Sequence, residues 1–307
     1  MAKKIKMTYP LSSLAESYKR HLRAEHVKET TIHNYDFTFA HLATWLTENQ
    51  KTDDVASITT DDMRDHLVWL QDRLQPTTVQ SRFKQLRAFF AWCVEEEILS
   101  RSPMTKIKMP AAAEVEKDIL SDEEIKLLFD TCKDKHSYND VRDLAIMRLL
   151  LDSGLRANEC ASIKLEDMHM EGKEQLIVVP FGKGDKYRIV GFGAKTATSI
   201  DRYLRFRAQH VYTEQPWLFL GQKGKMTGFG LIHIMEKRCT LANISHATPH
   251  SWRHTFIDRM KRSGISDENI MSLTGHSSTQ VFQHYAKKLR SERALDAYQG
   301  NAPGDHI

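Results

Sequence analysis

The 307-residue sequence predicts a mainly α-helical protein with one small β-sheet, a helical domain over residues 1–110 followed by a mixed α+β domain over residues 111–307. Three observations predict it. Apolar residues recur three and four apart through the first hundred positions, a proline-containing connector breaks that pattern near residue 111, and two short β-branched runs then flank a glycine-rich turn before helical spacing resumes. The length is about twice that of a usual domain, in keeping with the division.

The first helix is set by Leu11, Leu14, Tyr18 and Leu22, the second by Ile32, Tyr35, Phe39, Leu42 and Leu46. Met63, Leu67, Leu70 and Leu74 form a third stripe behind a Thr60 cap, and Pro76 opens a fourth helix with Val79, Phe83, Leu86, Phe90 and Val94. Four such helices bury a shared core as a small bundle. The connector SRSPMTKIKMPAAAEVEKD has two prolines and three alanines but no sustained apolar period. Past it, Ser121 and Glu124 form a capping box, a helix over about 139–153 ends at Gly154 as its C-terminal cap, and Leu155 and Arg156 follow. The runs QLIVVP and KYRIVGF, with Gly182-Lys183-Gly184-Asp185 between them, predict a hairpin with Lys183 at its turn.

Composition excludes several classes. Hydrophobic residues are 41% and charged residues 27% of the chain, so it is neither low-complexity nor wholly disordered. No stretch reaches the roughly 18 apolar residues of a membrane helix, and MAKKIKMTYP has no apolar run to make a signal peptide, so a cytoplasmic location is expected. Cys93, Cys132, Cys160 and Cys239 lack the paired spacing of a zinc or redox motif and read as reduced thiols. The net charge of +4 conceals an asymmetry: residues 111–182 hold 9 basic against 16 acidic side chains, and residues 183–262 hold 15 against 5. Clustered Lys and Arg of this kind suit a polyanion, because binding releases phosphate counterions; a solvated basic face is the other reading of the same block.

Four stretches carry the chemistry: SGLRANE at 153–159, GKGDKYR at 182–188, HSWRH at 250–254, and LTGH at 273–276 with Tyr285 nine residues later. Two guanidiniums and an ammonium suit a phosphodiester that gains charge in its transition state, and Arg can grip two of its oxygens at once. A phenol is then the natural nucleophile. Its attack gives a phosphotyrosyl ester and a free hydroxyl, which preserves the bond energy for rejoining and requires neither metal nor ATP. His250 and His254 lie four apart, but a zinc-protease motif needs Glu at 251, where the sequence has Ser251, so no metal site is expected.

The order Arg156, Lys183, His250, Arg253, His276, Tyr285 resembles the tyrosine recombinases, also called phage-type integrases. The resemblance covers most of the chain and implies a core-binding (SAM-like) DNA-binding domain ahead of a catalytic domain. It implies that Tyr285 attacks the scissile phosphate to form a 3′-phosphotyrosyl link, that Arg156 and Arg253 bind the non-bridging oxygens, and that His276 hydrogen-bonds the phosphate. Lys183 matches the general acid for the departing 5′ oxygen, His250 the residue that helps move the tyrosine proton, and Glu159 the acidic residue supporting the site. Lys186 rivals Lys183 near the turn, and Tyr298 is the nearest rival to Tyr285, without its spacing from His276. Two departures are mild: Trp252 replaces a frequent aliphatic residue, and Thr274 replaces the Leu of the usual LGH.

The same resemblance implies duplex DNA with paired inverted binding sites as partner, a homotetramer or a heterotetramer with a related recombinase, Holliday junction formation, and a bacterial or mobile-element protein at the nucleoid. The first helix begins by about residue 11, which favours a short, Xer-like layout without an extra N-terminal domain. Arg82, Lys84 and Arg87 on the fourth helix, with Lys186 and Arg188 by the hairpin, are the candidate DNA contacts. Two other readings share the motifs: a type IB topoisomerase, which relaxes supercoils as a monomer, and a DNA-binding protein that does not cleave.

Overall fold

The computed structural model describes residues 8–111, 118–170, 175–180, 187–245 and 247–275. The chain divides into two compact units, Met1–Val115 and Glu116–Ile307.

The first unit is built from α1 (Leu11–Ala24), α2 (Glu29–Glu48), α3 (Thr60–Gln71) and α4 (Pro76–Glu95). Its core takes the predicted stripes almost whole, with Leu42, Met63, Leu70 and Leu86 at 0% exposure. Aromatic packing adds to it: Phe89 meets Phe39 edge to face at 4.9 Å between ring centroids and Tyr18 at 5.5 Å. One expected cap moves by a residue. Thr59, not Thr60, caps α3: its hydroxyl accepts from the Asp62 N–H at 3.1 Å, and the Asp62 carboxylate accepts from the Thr59 N–H at 2.8 Å. The reciprocal pair needs an acid three residues past the cap, which Thr59 has in Asp62 and Thr60 does not, because Met63 stands there. Leu74 lies beyond the end of α3 and packs on the same core.

A buried imidazole gives this unit an acid weakness. His66 is fully buried, its ring 5.6 Å from Trp45 and stacked at 5.8 Å on Trp69, and among the described residues neither ring nitrogen has a hydrogen-bond partner. Burial, with a smaller contribution from neighbouring His41, pushes its pKa down to about 3. The folded chain therefore refuses a proton that the unfolded chain takes up from about pH 6.5 downward. Stability is complete above that value and falls by up to about 1.4 kcal/mol per pH unit between there and about pH 3. Urea unfolding followed by tryptophan fluorescence is expected to show a loss of about 2 kcal/mol between pH 7 and pH 5, most of it abolished in His66→Leu. An unchanged acid loss in that variant would place the sensitivity elsewhere.

The second unit runs α5 (Asp122–Asp130), α6 (Tyr138–Ser153), α7 (Ala157–Ala161), β1 (Met168–His169), β2 (Leu176–Pro180), β3 (Tyr187–Gly191), α8 (Ala194–Arg207), β4 (Leu220–Gly221), β5 (Gly224–Lys225), α9 (Gly228–Ala242), α10 (Pro249–Arg262) and α11 (Asp267–Thr274). Strands β1, β2 and β3 form an antiparallel sheet in which Val178 faces Ile189 and Val179 faces Arg188; β4 and β5 make a separate short hairpin. The β2–β3 pairing is that of the predicted hairpin, whose turn at 181–186 lies outside the described residues, whereas β1, β4 and β5, two residues each, are too short to leave a period in the sequence.

Helix α6 lies at the centre of this unit. It is apolar on nearly every face, with Ala145, Ile146, Met147, Leu149 and Leu150 all fully buried, as expected of a helix covered on all sides. Its buried charges are paired: Asp143 accepts from Arg142 at 2.8 Å and from the 2%-exposed Arg238 of α9, which also bonds Asp140 at 2.9 Å and the Thr131 carbonyl at 2.9 Å. The capping box at Ser121 and the left-handed Gly154 that ends α6 are as the sequence predicts.

Candidate active site

The site is assembled where four chain segments meet. Gly154 adopts φ +59°, reversing the chain after α6 and delivering Arg156 to the N-cap of α7. An L side chain there would be strained, and an added Cβ would lie 2.4 Å from the Phe256 ring. Pro249 opens α10, the Thr248 hydroxyl accepts from the Ser251 N–H, and the first turn then presents His250, exposed, and Arg253, 2% exposed. Trp252 points into the core instead, stacked on Phe129 at 5.9 Å with no exposure, so the departure from an aliphatic residue serves packing.

Helix α11 ends at Gly275 in a left-handed C-cap. Its last carbonyls have no helical partners and form the negative end of the helix dipole. Three arginines take them. Arg188 Nε donates to the Leu273 carbonyl at 2.8 Å, Arg253 Nη2 to that of Thr274 at 2.6 Å, and Arg156 to those of Thr274 at 3.4 Å and Gly275 at 3.2 Å. Arg253 Nη1 also reaches the Gly154 carbonyl at 2.6 Å. Two guanidiniums from distant parts of the sequence thus converge on a single oxygen, that of Thr274. The Thr274 side chain, standing where the resemblance expects Leu, is fully buried and donates its hydroxyl to the Ile270 carbonyl at 2.6 Å.

Glu159 holds the arginines in register. Its carboxylate accepts from the Arg156 backbone N–H at 2.8 Å, from Arg156 Nη1 at 2.9 Å, and from both terminal nitrogens of Arg188 at 3.1 and 2.7 Å. Burial by itself would raise the Glu159 carboxyl, but the Arg188 bonds and the Arg156 N–H outweigh it and hold the group below the ordinary carboxylate range.

Arg188 corrects an expectation. It is a candidate DNA contact by sequence, yet its side chain is 7% exposed and committed to Glu159 and Leu273. The reason is strand parity: Arg188 and Val190 occupy the inward positions of β3, and Tyr187 and Ile189 the outward ones. Arg82 is likewise half-buried, donating to the Asn34 carbonyl at 2.9 Å and to Gln85 at 3.1 Å, while Lys84 and Arg87 on the same helix are exposed. Lys183, Lys186, His276 and Tyr285 lie outside the described residues. Backbone acceptors such as Thr274 leave no trace in side-chain spacing, so sequence reasoning does not find them; the inward position of Arg188 was open to the alternation rule.

The guanidiniums of this site gather their donors around one cluster of backbone carbonyls, an arrangement fit for a phosphodiester-handling enzyme. Comparison with known proteins makes the class specific. Residues 118–292 match the phage integrase family, and residues 14–99 match the phage integrase N-terminal SAM-like domain. Tyrosine recombinase XerC of Actinobacillus pleuropneumoniae is 31% identical over 219 residues, spanning 68% of this chain and 70% of that protein. Tyrosine recombinase XerD of Oceanobacillus iheyensis is 28% identical over 299 residues, 94% of this chain and 97% of its own. Among solved structures, XerH site-specific recombinase bound to palindromic difH substrate superposes with a TM-score of 0.74 at 20% identity, over 94% of this chain and 85% of that one. A lambda integrase dimer bound to a COC′ core site gives 0.73 at 15%, over 91% and 77%. The chain belongs to the phage integrase family of tyrosine recombinases, enzymes that cleave and rejoin DNA in site-specific recombination.

Proposed function

We propose that this recombinase cuts DNA by attack of the Tyr285 phenol on a scissile phosphodiester. The new bond joins the phenolic oxygen to phosphorus, the bond to the 5′ oxygen breaks, and the phenol proton and the proton gained by the leaving oxygen pass through His250 and Lys183. Lys186 is the second candidate for the proton donor. Arg156 and Arg253 bind the non-bridging oxygens and stabilise the charge that develops there, and His276 adds a hydrogen bond. The resulting 3′-phosphotyrosyl ester retains the bond energy, so the 5′ hydroxyl of a second strand reverses the attack, and two such exchanges pass through a Holliday junction.

The observation that carries this reading is the convergence of Arg156 and Arg253 on the Thr274 oxygen at 3.4 and 2.6 Å. Donors already gathered at one point need little reorganisation when a phosphate oxygen arrives nearby. Lys84 and Arg87 supply DNA contacts from the helical domain, residues 1–110, and the basic block over 183–262 supplies them from the catalytic domain, residues 111–307. As the XerH structure holds palindromic DNA and the lambda integrase structure a dimer on a core site, we assign paired inverted sites to this protein. It acts there as a tetramer, of its own copies or with a related recombinase, in the cytoplasm at the nucleoid. Integration or excision of mobile DNA and resolution of chromosome or plasmid dimers are the tasks that fit.

The test finds the target site as it runs. Wild type and Tyr285→Phe are incubated with fragmented genomic DNA, denatured, and examined for DNA that stays attached to protein. An adduct with the wild type and none with the variant is the expected result, and sequencing the trapped fragments identifies the target. An adduct that persists in Tyr285→Phe, or none with either protein, overturns the assignment.

A further inference from the structure

We infer that Arg188 is a positioning residue for DNA cleavage, acting through Glu159 on Arg156 and binding hairpin, α7 and the end of α11 to one another. The inference rests on the proposed role of Arg156 at the scissile phosphate.

The geometry is that of an internal clamp. Arg188 lies on β3, and its inward position leaves the side chain 7% exposed. Nη1 and Nη2 grip the two Glu159 oxygens in a parallel fork at 3.1 and 2.7 Å, and Nε caps the Leu273 carbonyl at 2.8 Å. One guanidinium therefore touches α7 and α11 from a third element. The planar fork is what lets it do so; a lysine ammonium cannot make a bidentate contact and reach a separate carbonyl in the same plane.

Charge gives the clamp its purpose. Glu159 contacts Arg156 through both backbone and side chain. With Arg188 gone, a half-buried carboxylate would face Arg156 alone, neutralise it, and compete with a phosphate for its terminal nitrogens. With Arg188 present, each Glu159 oxygen is shared between two arginines, the trio keeps one net positive charge, and Arg156 Nη2 extends past the carboxylate to the Gly275 carbonyl at 3.2 Å. Glu159 then acts as a fixed rest for Arg156 rather than as its counterion.

The test uses the full chain and the DNA fragment recovered with wild type, prepared as a nicked duplex whose cleaved strand cannot rejoin. Adduct rate at saturating protein, and dissociation constant against salt, are measured for Arg188→Met, Glu159→Gln and the double variant. Arg188→Met is expected to slow adduct formation by about 100-fold, the size of a misplacement near 1 Å, with binding and its salt slope unchanged. The double variant is expected to be no slower than the slower single, because both losses pass through Arg156. Multiplying losses overturn the positioning role. So does weaker binding with a salt slope smaller by about one, the signature of a direct phosphate contact. Should melting curves show Arg188→Met unfolded, the same cycle is read with Arg188→Lys, which keeps the buried charge without the fork. Absence of an adduct with wild type would overturn the reading of Arg156 and the clamp together, whereas an additive cycle overturns the clamp alone.

Discussion

Arg253→Lys is expected to slow adduct formation by at least about 100-fold and to lower the unfolding free energy by about 2–3 kcal/mol, although the charge is kept. Arg253 is 2% exposed and bridges two backbone carbonyls, Gly154 and Thr274, each at 2.6 Å. One carbonyl belongs to the turn that leads to Arg156, the other to the end of α11. Hydrogen bonds from a charged donor are worth about 1.5–3 kcal/mol each, and a lysine can keep at most one of these two, leaving the other buried oxygen unpaired. The loss of rate follows separately, from displacing the guanidinium N–H groups proposed to bind the phosphate. Urea unfolding and the trapping assay measure the two effects independently. A variant that cleaves at the wild-type rate would remove Arg253 from the phosphate site.

Gly154→Ala is expected to cost about 3 kcal/mol and to cut cleavage with it. The first contribution is the left-handed backbone at φ +59°, about 1–2 kcal/mol for a residue with a Cβ. The second is steric: the new methyl would lie 2.4 Å from Phe256 Cδ1 and 3.0 Å from two further ring atoms, and that ring is only 4% exposed on α10. Relief requires α6 and α10 to move apart, which shifts the carbonyl held by Arg253 and, two residues on, Arg156 itself. Phe256→Leu in the Gly154→Ala background is expected to recover the steric part but not the backbone part. The two substitutions are then non-additive by about 1 kcal/mol or more in denaturant melts; strict additivity would mean that ring and turn are not coupled.

Much of the site was legible because its residues sit at fixed offsets from local structure. Arg156 follows a glycine C-cap, and Arg253 stands on the first turn of a helix opened by Thr248 and Pro249. The β2–β3 pairing was legible for the same reason, since two β-branched runs flanking glycines in the sequence are a local signal. Thr59 rather than Thr60 as the cap of α3 was also within reach, because Asp62 names its partner.

The sequence by itself determined the helical first domain, the mixed second one and the β2–β3 pairing, since periodicity, caps and turn residues are properties of neighbouring residues. Only the tertiary structure decided which way Arg156, Arg188 and Arg253 point. Arg188 and Lys84 are both candidate DNA contacts by sequence, yet one is buried against Glu159 and the other is exposed. That Arg156, Arg188 and Arg253 meet at the carbonyls of Leu273, Thr274 and Gly275 depends on backbone acceptors more than a hundred residues away for Arg156 and about twenty for Arg253. Backbone oxygens are chemically alike in every residue; only the packing of α11 against α10 and β3 makes these three the ones that matter.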